Sequence, residues 1–180
     1  MSYLFSSARL GFRIWRSADL QAFARLNAHP EVMQHFPKPL SMAQSKQFLE
    51  RLASHYQKHG FQYFAVELLS CQTLIGFLGL AYQKYPSPFT PAVDLGWRLM
   101  PEIWNKGYAT EGAERCVKWV FETHTLTQLI STCPAINRAS ERVMQKIGMH
   151  KLGYFNHPNL TAYPHLEPCV CYGLERNQDI

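Results

Sequence analysis

The sequence predicts one mixed α/β (α+β) domain over residues 1–180, with a central sheet of about six to seven strands flanked by helices. Three observations carry that prediction. Apolar segments rich in β-formers recur along the chain. Segments with helical periodicity separate them. The resulting order is strand, helices, three antiparallel strands, helix, strand, helix, strand, strand. Composition agrees, because 47% hydrophobic and 17% charged residues can supply one substantial core in a chain short for two domains.

Each element has a local reason. "RLGFRIW" (9–15) alternates Leu10, Phe12 and Ile14 on one face and reads as a strand. Ser17 is placed to cap a helix running to about Asn27, with Asp19 in its first turn. Prolines break "HPEVMQHFPKPL" (29–40), leaving loop with room for one helical turn. Ser41 and Gln44 form a capping-box pattern ahead of a helix that carries Phe48, Leu49, Leu52 and Tyr56 on one side and stops near Gly60. "YFAVELL" and "LIGFLGLAY", joined by polar "SCQT", predict a hairpin; "AVDLGWRLM" (92–100) is a further strand. Ala109, Ala113, Cys116, Val117, Val120 and Phe121 form one helical stripe that reaches about Glu122. "LISTC" (129–133) is a short buried strand, and Asn137 caps a helix over 138–147 with Lys146 and Gly148 as its stop signal. "KLGYF" and "CVCYGL" are the last strands, on either side of the polar loop 156–168.

Several function classes fall away. No run approaches the roughly 18 consecutive apolar residues of a membrane span, and the N-terminus lacks a basic leader with an apolar core. A soluble cytoplasmic protein without a membrane partner is therefore expected. The five cysteines are odd in number and form no C-x-x-C pair, so they read as reduced thiols. A zinc site from His157, His165, Cys169 and Cys171 matches no standard spacing, and no metal is expected. The net charge of +5 is scattered and no stacking-plus-basic motif accompanies it, so no nucleic acid partner is expected. Only Arg138, Arg142 and Lys146 align at helical spacing, as a solvated face or a local site for an anion.

The most informative stretch is "IWNKGYATEGAE" (103–114). A strand ending at Leu99 meets a glycine-containing turn, and a helix begins near Ala109. Backbone amides of Lys106, Gly107, Tyr108, Ala109 and Thr110 would then gather where the helix dipole favours an anion. Neither a P-loop nor a dinucleotide fingerprint can be written here. By itself the turn is more often a structural joint than an anion site.

Together, "DLGWRLMPEIWNKGYATEGAERCVKWVF" and "NRASERVMQKIGM" resemble the GNAT superfamily of acyl-CoA-dependent N-acetyltransferases, and within it the RimJ/RimL-type ribosomal-protein N-terminal acetyltransferases. The resemblance runs nearly end to end. It implies a bent mixed sheet in which two parallel strands, 92–99 and 129–133, splay to admit acetyl-CoA. It also implies a pyrophosphate loop over Trp104 to Ala109, including Asn105, with amides through Thr110. The Leu99 N–H becomes the oxyanion donor. Asn137 bonds the pantetheine arm, with Ser140 nearby, and Arg142 meets a CoA phosphate. Asp94 stands where the family often has a basic Glu, though a structural carboxylate is an equal reading. The family's tyrosine acid falls on Met144, which cannot donate a proton, so Ser140, water or no acid replaces it. Trp97, Tyr108 and Phe89 serve as core or as cleft walls, and His157 lines the acceptor side or fixes its loop.

The expected partners are acetyl-CoA and an amine acceptor, a protein N-terminus or a small molecule; a homodimer is compatible with this. The competing reading is a non-catalytic acyl-CoA-binding regulatory module.

Overall fold

The computed structural model describes residues 2–176. Strands β1 (Phe5–Ser6) and β2 (Leu10–Arg13) lead into helices α1 (Leu20–Ala28), α2 (Pro30–Met33) and α3 (Met42–His59). An antiparallel meander follows: β3 (Tyr63–Leu68), β4 (Leu74–Gln83) and β5 (Ala92–Leu99). Helix α4 (Tyr108–Thr123), β6 (Gln128–Pro134), α5 (Arg138–Lys146), β7 (His150–Asn156) and β8 (Pro168–Glu175) complete the described chain. All eight strands share one open sheet in the order β1-β2-β3-β4-β5-β6-β8-β7, antiparallel except at β5–β6. The strand beyond those expected is the two-residue β1.

The helices cover both faces. The α4 stripe buries Ala113, Cys116, Val120 and Phe121 against Leu10, Phe12, Leu78 and Leu95. On the other face Phe23 and Leu26 of α1 and Leu52 of α3 pack on Phe77 of β4. Helix α3 has the expected capping box, Gln44 N donating to Ser41 Oγ (3.2 Å) and Ser41 N to Gln44 Oε1 (2.9 Å), and ends at left-handed Gly60. Asn137 caps α5 through Ser140 N (3.2 Å).

Local reading erred where a distant partner intervened. Ile14 is 46% exposed and lies outside β2, while Arg13 is buried between Glu67 and Asp19. Ser17 caps nothing: residues 17–19 form a 3-10 turn in which the Asp19 carboxylate takes Arg16 N (2.7 Å). A guanidinium with two carboxylates outweighs the alternation of neighbouring apolar residues, because a buried charge left unpaired costs far more than one exposed isoleucine. The Arg138–Arg142–Lys146 alignment is also not one free stripe, since Arg138 pairs with Glu141 (2.8 Å).

Candidate active site

The parallel strands separate almost as soon as they meet. β5 and β6 share a single register pair, Asp94 with Ile130. In a regular parallel ladder the next rung would bring Thr132 N to Leu95 O. Here Thr132 N goes to Asp94 Oδ1 (3.2 Å), and Leu95 O accepts from the Ser131 hydroxyl (2.7 Å). Side chains thus end the ladder, and the strands fork beyond them. Gly96, Trp97 and Arg98, the β5 residues past the fork, are partly exposed.

Register identifies what faces this gap. Leu99 lies opposite Gly76 on β4, and Met100 N donates to Ile75 O (2.9 Å). That makes Leu99 a non-hydrogen-bonded position, so its N–H points away from β4 and into the fork. Trp97, two residues earlier, has the same orientation. The Leu99 carbonyl takes the Trp104 indole Nε1 (2.8 Å), which leaves the N–H as the free polar group of that residue.

The turn after β5 is built to gather amides. Asn105 (φ 59°) and Gly107 (φ 82°) are both left-handed, a conformation asparagine tolerates and glycine adopts freely. Among the described residues no side chain caps α4, unlike α3 and α5. Glu111 N takes Gly107 O (3.0 Å), and the amides of Lys106, Gly107, Tyr108, Ala109 and Thr110 have no partner among the described residues. Such a run of unpaired N–H groups at a helix start is an anion cradle. The β1–β2 turn braces it from behind. Arg9 Nη1 donates to Lys106 O (3.1 Å), Arg9 Nε to Glu111 Oε2 (2.6 Å), and its guanidinium covers the Tyr108 ring at 4.2 Å. Ser7 Oγ also donates to Glu111 (2.7 Å), and these bonds hold the Glu111 carboxyl below its ordinary range despite some burial.

Asp94 sits at the vertex of the fork, buried, with its second oxygen accepting from Tyr63 Oη (2.9 Å). Burial pushes its pKa up to about 7, against the lowering effect of the bonds from Tyr63 and Thr132. Burial and the neighbouring Asp94 carboxylate raise the Tyr63 phenol well above its usual value. Tyr63 lies beside Gly96, where a Cβ would stand 3.1 Å from the hydroxyl.

The other expected residues are distributed around this centre. Asn137 spends its side-chain oxygen on the α5 cap, with half-buried Ser140 on the same turn. Arg142 is exposed on α5. Met144 is 1% exposed, packed with Cys133, Met149, Val170 and Tyr172, and so is core. His157 caps the 3-10 turn 158–160 through Asn159 N (3.2 Å) and stacks near Tyr85 (4.3 Å). Tyr63, Arg98, the Trp97 amide and the Arg9–Glu111 brace did not emerge from sequence reasoning. Only Arg98 had a visible signal, the one cation in a strand whose other charged residue is Asp94.

A forked sheet with an anion cradle at its mouth is the arrangement that the resemblance to acyl-CoA-dependent transferases implies. The acetyltransferase (GNAT) domain family matches residues 9–150. The chain is 30% identical over 151 residues to the uncharacterized N-acetyltransferase YnaD of Bacillus subtilis, an alignment covering 83% of this chain and 84% of that one. A GNAT-family acetyltransferase structure from Bacillus anthracis superposes with TM-score 0.76 at 28% identity, covering 94% of this chain and 96% of that one. Two more distant structures share the fold. The ribosomal-protein-S5-alanine acetyltransferase of Vibrio fischeri has TM-score 0.75 at 19% identity, with 97% of each chain covered. The spermidine N-acetyltransferase of Vibrio cholerae, in complex with CoA and spermine, has TM-score 0.72 at 17% identity, covering 92% of this chain and 95% of that one. The chain belongs to the GNAT acetyltransferase family. It is an acetyl-CoA-dependent N-acetyltransferase. No helix among the described residues is long and apolar enough to cross a membrane.

Proposed function

We propose that this enzyme acetylates a primary amine, either the α-amine of a protein or a small-molecule amine, by direct attack on the thioester bound in the β5–β6 fork. The observation that carries this reading is the pair of N–H groups, Trp97 and Leu99, facing an unbridged gap beside the amide cradle. The diphosphate of the cosubstrate belongs on the amides of 106–110, with Asn105 shaping the turn. Its arm then enters the fork past Leu99, so the acyl end lies nearer Trp97 and the vertex. Either N–H can hold the charge that builds on the thioester oxygen, and Trp97 is added to Leu99 in that role. Asn137 keeps an amide nitrogen free for the arm, Ser140 lies beside it, and Arg142 supplies a cation for a phosphate.

When bound, acetyl-CoA supplies an electrophilic carbonyl and a thiol leaving group. A free thiol has a pKa near 8.5, so its departure needs little assistance, and buried Met144 gives none. An α-amine, at about 7.7–8.0, is already neutral to roughly a tenth or more at pH 7. The amine proton passes to Asp94 through the Tyr63 hydroxyl, which donates to that carboxylate while accepting from the amine. The structures that share the fold include a ribosomal-protein-S5-alanine acetyltransferase and a spermidine N-acetyltransferase, so the RimJ/RimL-type acceptor is one member of this proposal.

Calorimetric titration with acetyl-CoA, beside NADH and ATP, tests the cradle in wild type and in Gly107→Glu. Thiol release with a panel of amines then tests transfer. Binding of acetyl-CoA alone, lost in the variant, followed by amine-dependent thiol release, is the expected result. Binding without release for any amine would instead mark a non-catalytic acyl-CoA-binding module.

A further inference from the structure

The face of β5 that carries Asp94 also carries a cation with no ion-pair partner among the described residues. Arg98 lies between Trp97 and Leu99, and its side chain points to the face opposite theirs, toward α1 and the 34–40 segment. Its Nη1 donates to Asn27 Oδ1, and its guanidinium covers Phe36 at 4.0 Å and Phe77 at 5.2 Å. Among the described residues no carboxylate comes within ion-pair distance of it, whereas Arg13 on β2 holds two. Arg98 Nε is buried with no hydrogen-bond partner among the described residues. Asn27 Nδ2 is orphaned in the same way, and the amide cannot be turned over, since that would set an NH₂ against the guanidinium. His29 Nδ1 and His35 Nδ1, in the segment that Leu40 N closes onto Asn27 O (2.9 Å), are buried without partners too.

This is not how a stabilising arginine is built. Buried donors are ordinarily satisfied, and a desolvated charge is ordinarily paired. Burial pulls the Arg98 pKa down to about 10, which still leaves it cationic at neutral pH. With Nη1 committed to Asn27, the free Nε–Nη2 edge is the side of a guanidinium that meets a carboxylate through two parallel bonds. The residue is only partly covered, at the stretch of β5 that the divergence of β6 exposes.

We propose that Arg98, oriented by Asn27, binds a carboxylate of the acceptor, so that the substrate is an amino carboxylate rather than a neutral amine or a polyamine. This rests on the acetyl-transfer reading above. One planar guanidinium edge matches the two oxygens of a single carboxylate. Phe36 and Phe77 hold the guanidinium flat, so little rotamer freedom is lost when the anion arrives.

Thiol release from acetyl-CoA is measured with matched acids and carboxamides: alanine, β-alanine, 4-aminobutyrate and an alanyl dipeptide, with spermidine as a cationic control. Wild type is expected to favour at least one acid over its carboxamide by tenfold or more in kcat/KM. The less basic amine of the carboxamide biases the comparison against that result. Arg98→Gln collapses the ratio at least tenfold, mainly through KM, with acetyl-CoA binding retained by calorimetry, and Arg98→Lys restores part of it. Preference for carboxamides or spermidine in wild type, or an equal loss on acid and carboxamide in Arg98→Gln, overturns the proposal while leaving acetyl transfer intact. Acetyl-CoA binding without thiol release for any amine overturns the transfer reading, and this one with it.

Discussion

Replacing Asp94 by Asn separates the two duties assigned to the vertex of the fork. The substitution is isosteric: the amide oxygen still accepts from Thr132 N, and the amide nitrogen donates to the Tyr63 hydroxyl. What disappears is a buried carboxyl whose pKa is raised from 3.8 to about 7. Raised in the folded state, it binds its proton more tightly folded than unfolded. Its contribution to stability is therefore complete below about pH 4 and is lost as pH rises through 7. That span corresponds to roughly 4 kcal/mol. Relative to wild type, Asp94→Asn should thus gain stability from pH 4 to pH 8, with a Tm difference growing by on the order of 10 °C for a chain of this size. Differential scanning fluorimetry of both proteins across that range reads the difference directly. In parallel, the limb of kcat/KM near pH 7 should vanish and the rate above it fall about a hundredfold, the scale of one general base. A Tm difference constant from pH 4 to pH 8 would refute the reasoning, because Asp94 would then titrate as an exposed carboxylate does. An unchanged pH–rate profile beside the expected stability shift would leave Asp94 as a clamp alone.

Three other substitutions probe the site. Gly107→Ala places a Cβ at φ 82°, which costs roughly 1–2 kcal/mol in the turn, and should weaken acetyl-CoA binding about tenfold by calorimetry. Trp104→Phe removes the donor to the Leu99 carbonyl, leaving an acceptor exposed to the fork; about 1 kcal/mol of stability and a several-fold rise in the KM for acetyl-CoA are expected from thermal melts and steady-state kinetics. Met144→Tyr would restore an acid in the family's usual position by sequence, but Met144 is packed in the core, so the variant should lose about 1–3 kcal/mol in urea titrations and gain no activity.

Signals that act within a few residues were legible in the sequence. The capping box of Ser41 and Gln44, the α4 stripe and the Asn137 cap act over one or two helical turns, so residue order suffices to place them. The left-handed turn at Asn105 and Gly107 is likewise local, although "NKGYAT" by itself does not distinguish an anion site from a structural joint. Together with the family resemblance, this determined the fold and the cosubstrate. The tertiary structure decided what those elements do to one another. The fork depends on Asp94 and Ser131 capturing the next rung of a ladder between strands far apart in the chain. The basicity of Asp94 depends on its burial beside Tyr63. The unpaired cation of Arg98 is defined by Asn27, 71 positions away, and by the lack of the carboxylates that surround Arg13. Burial and missing partners are sums over neighbours that the sheet brings together, and no local stretch of sequence contains them.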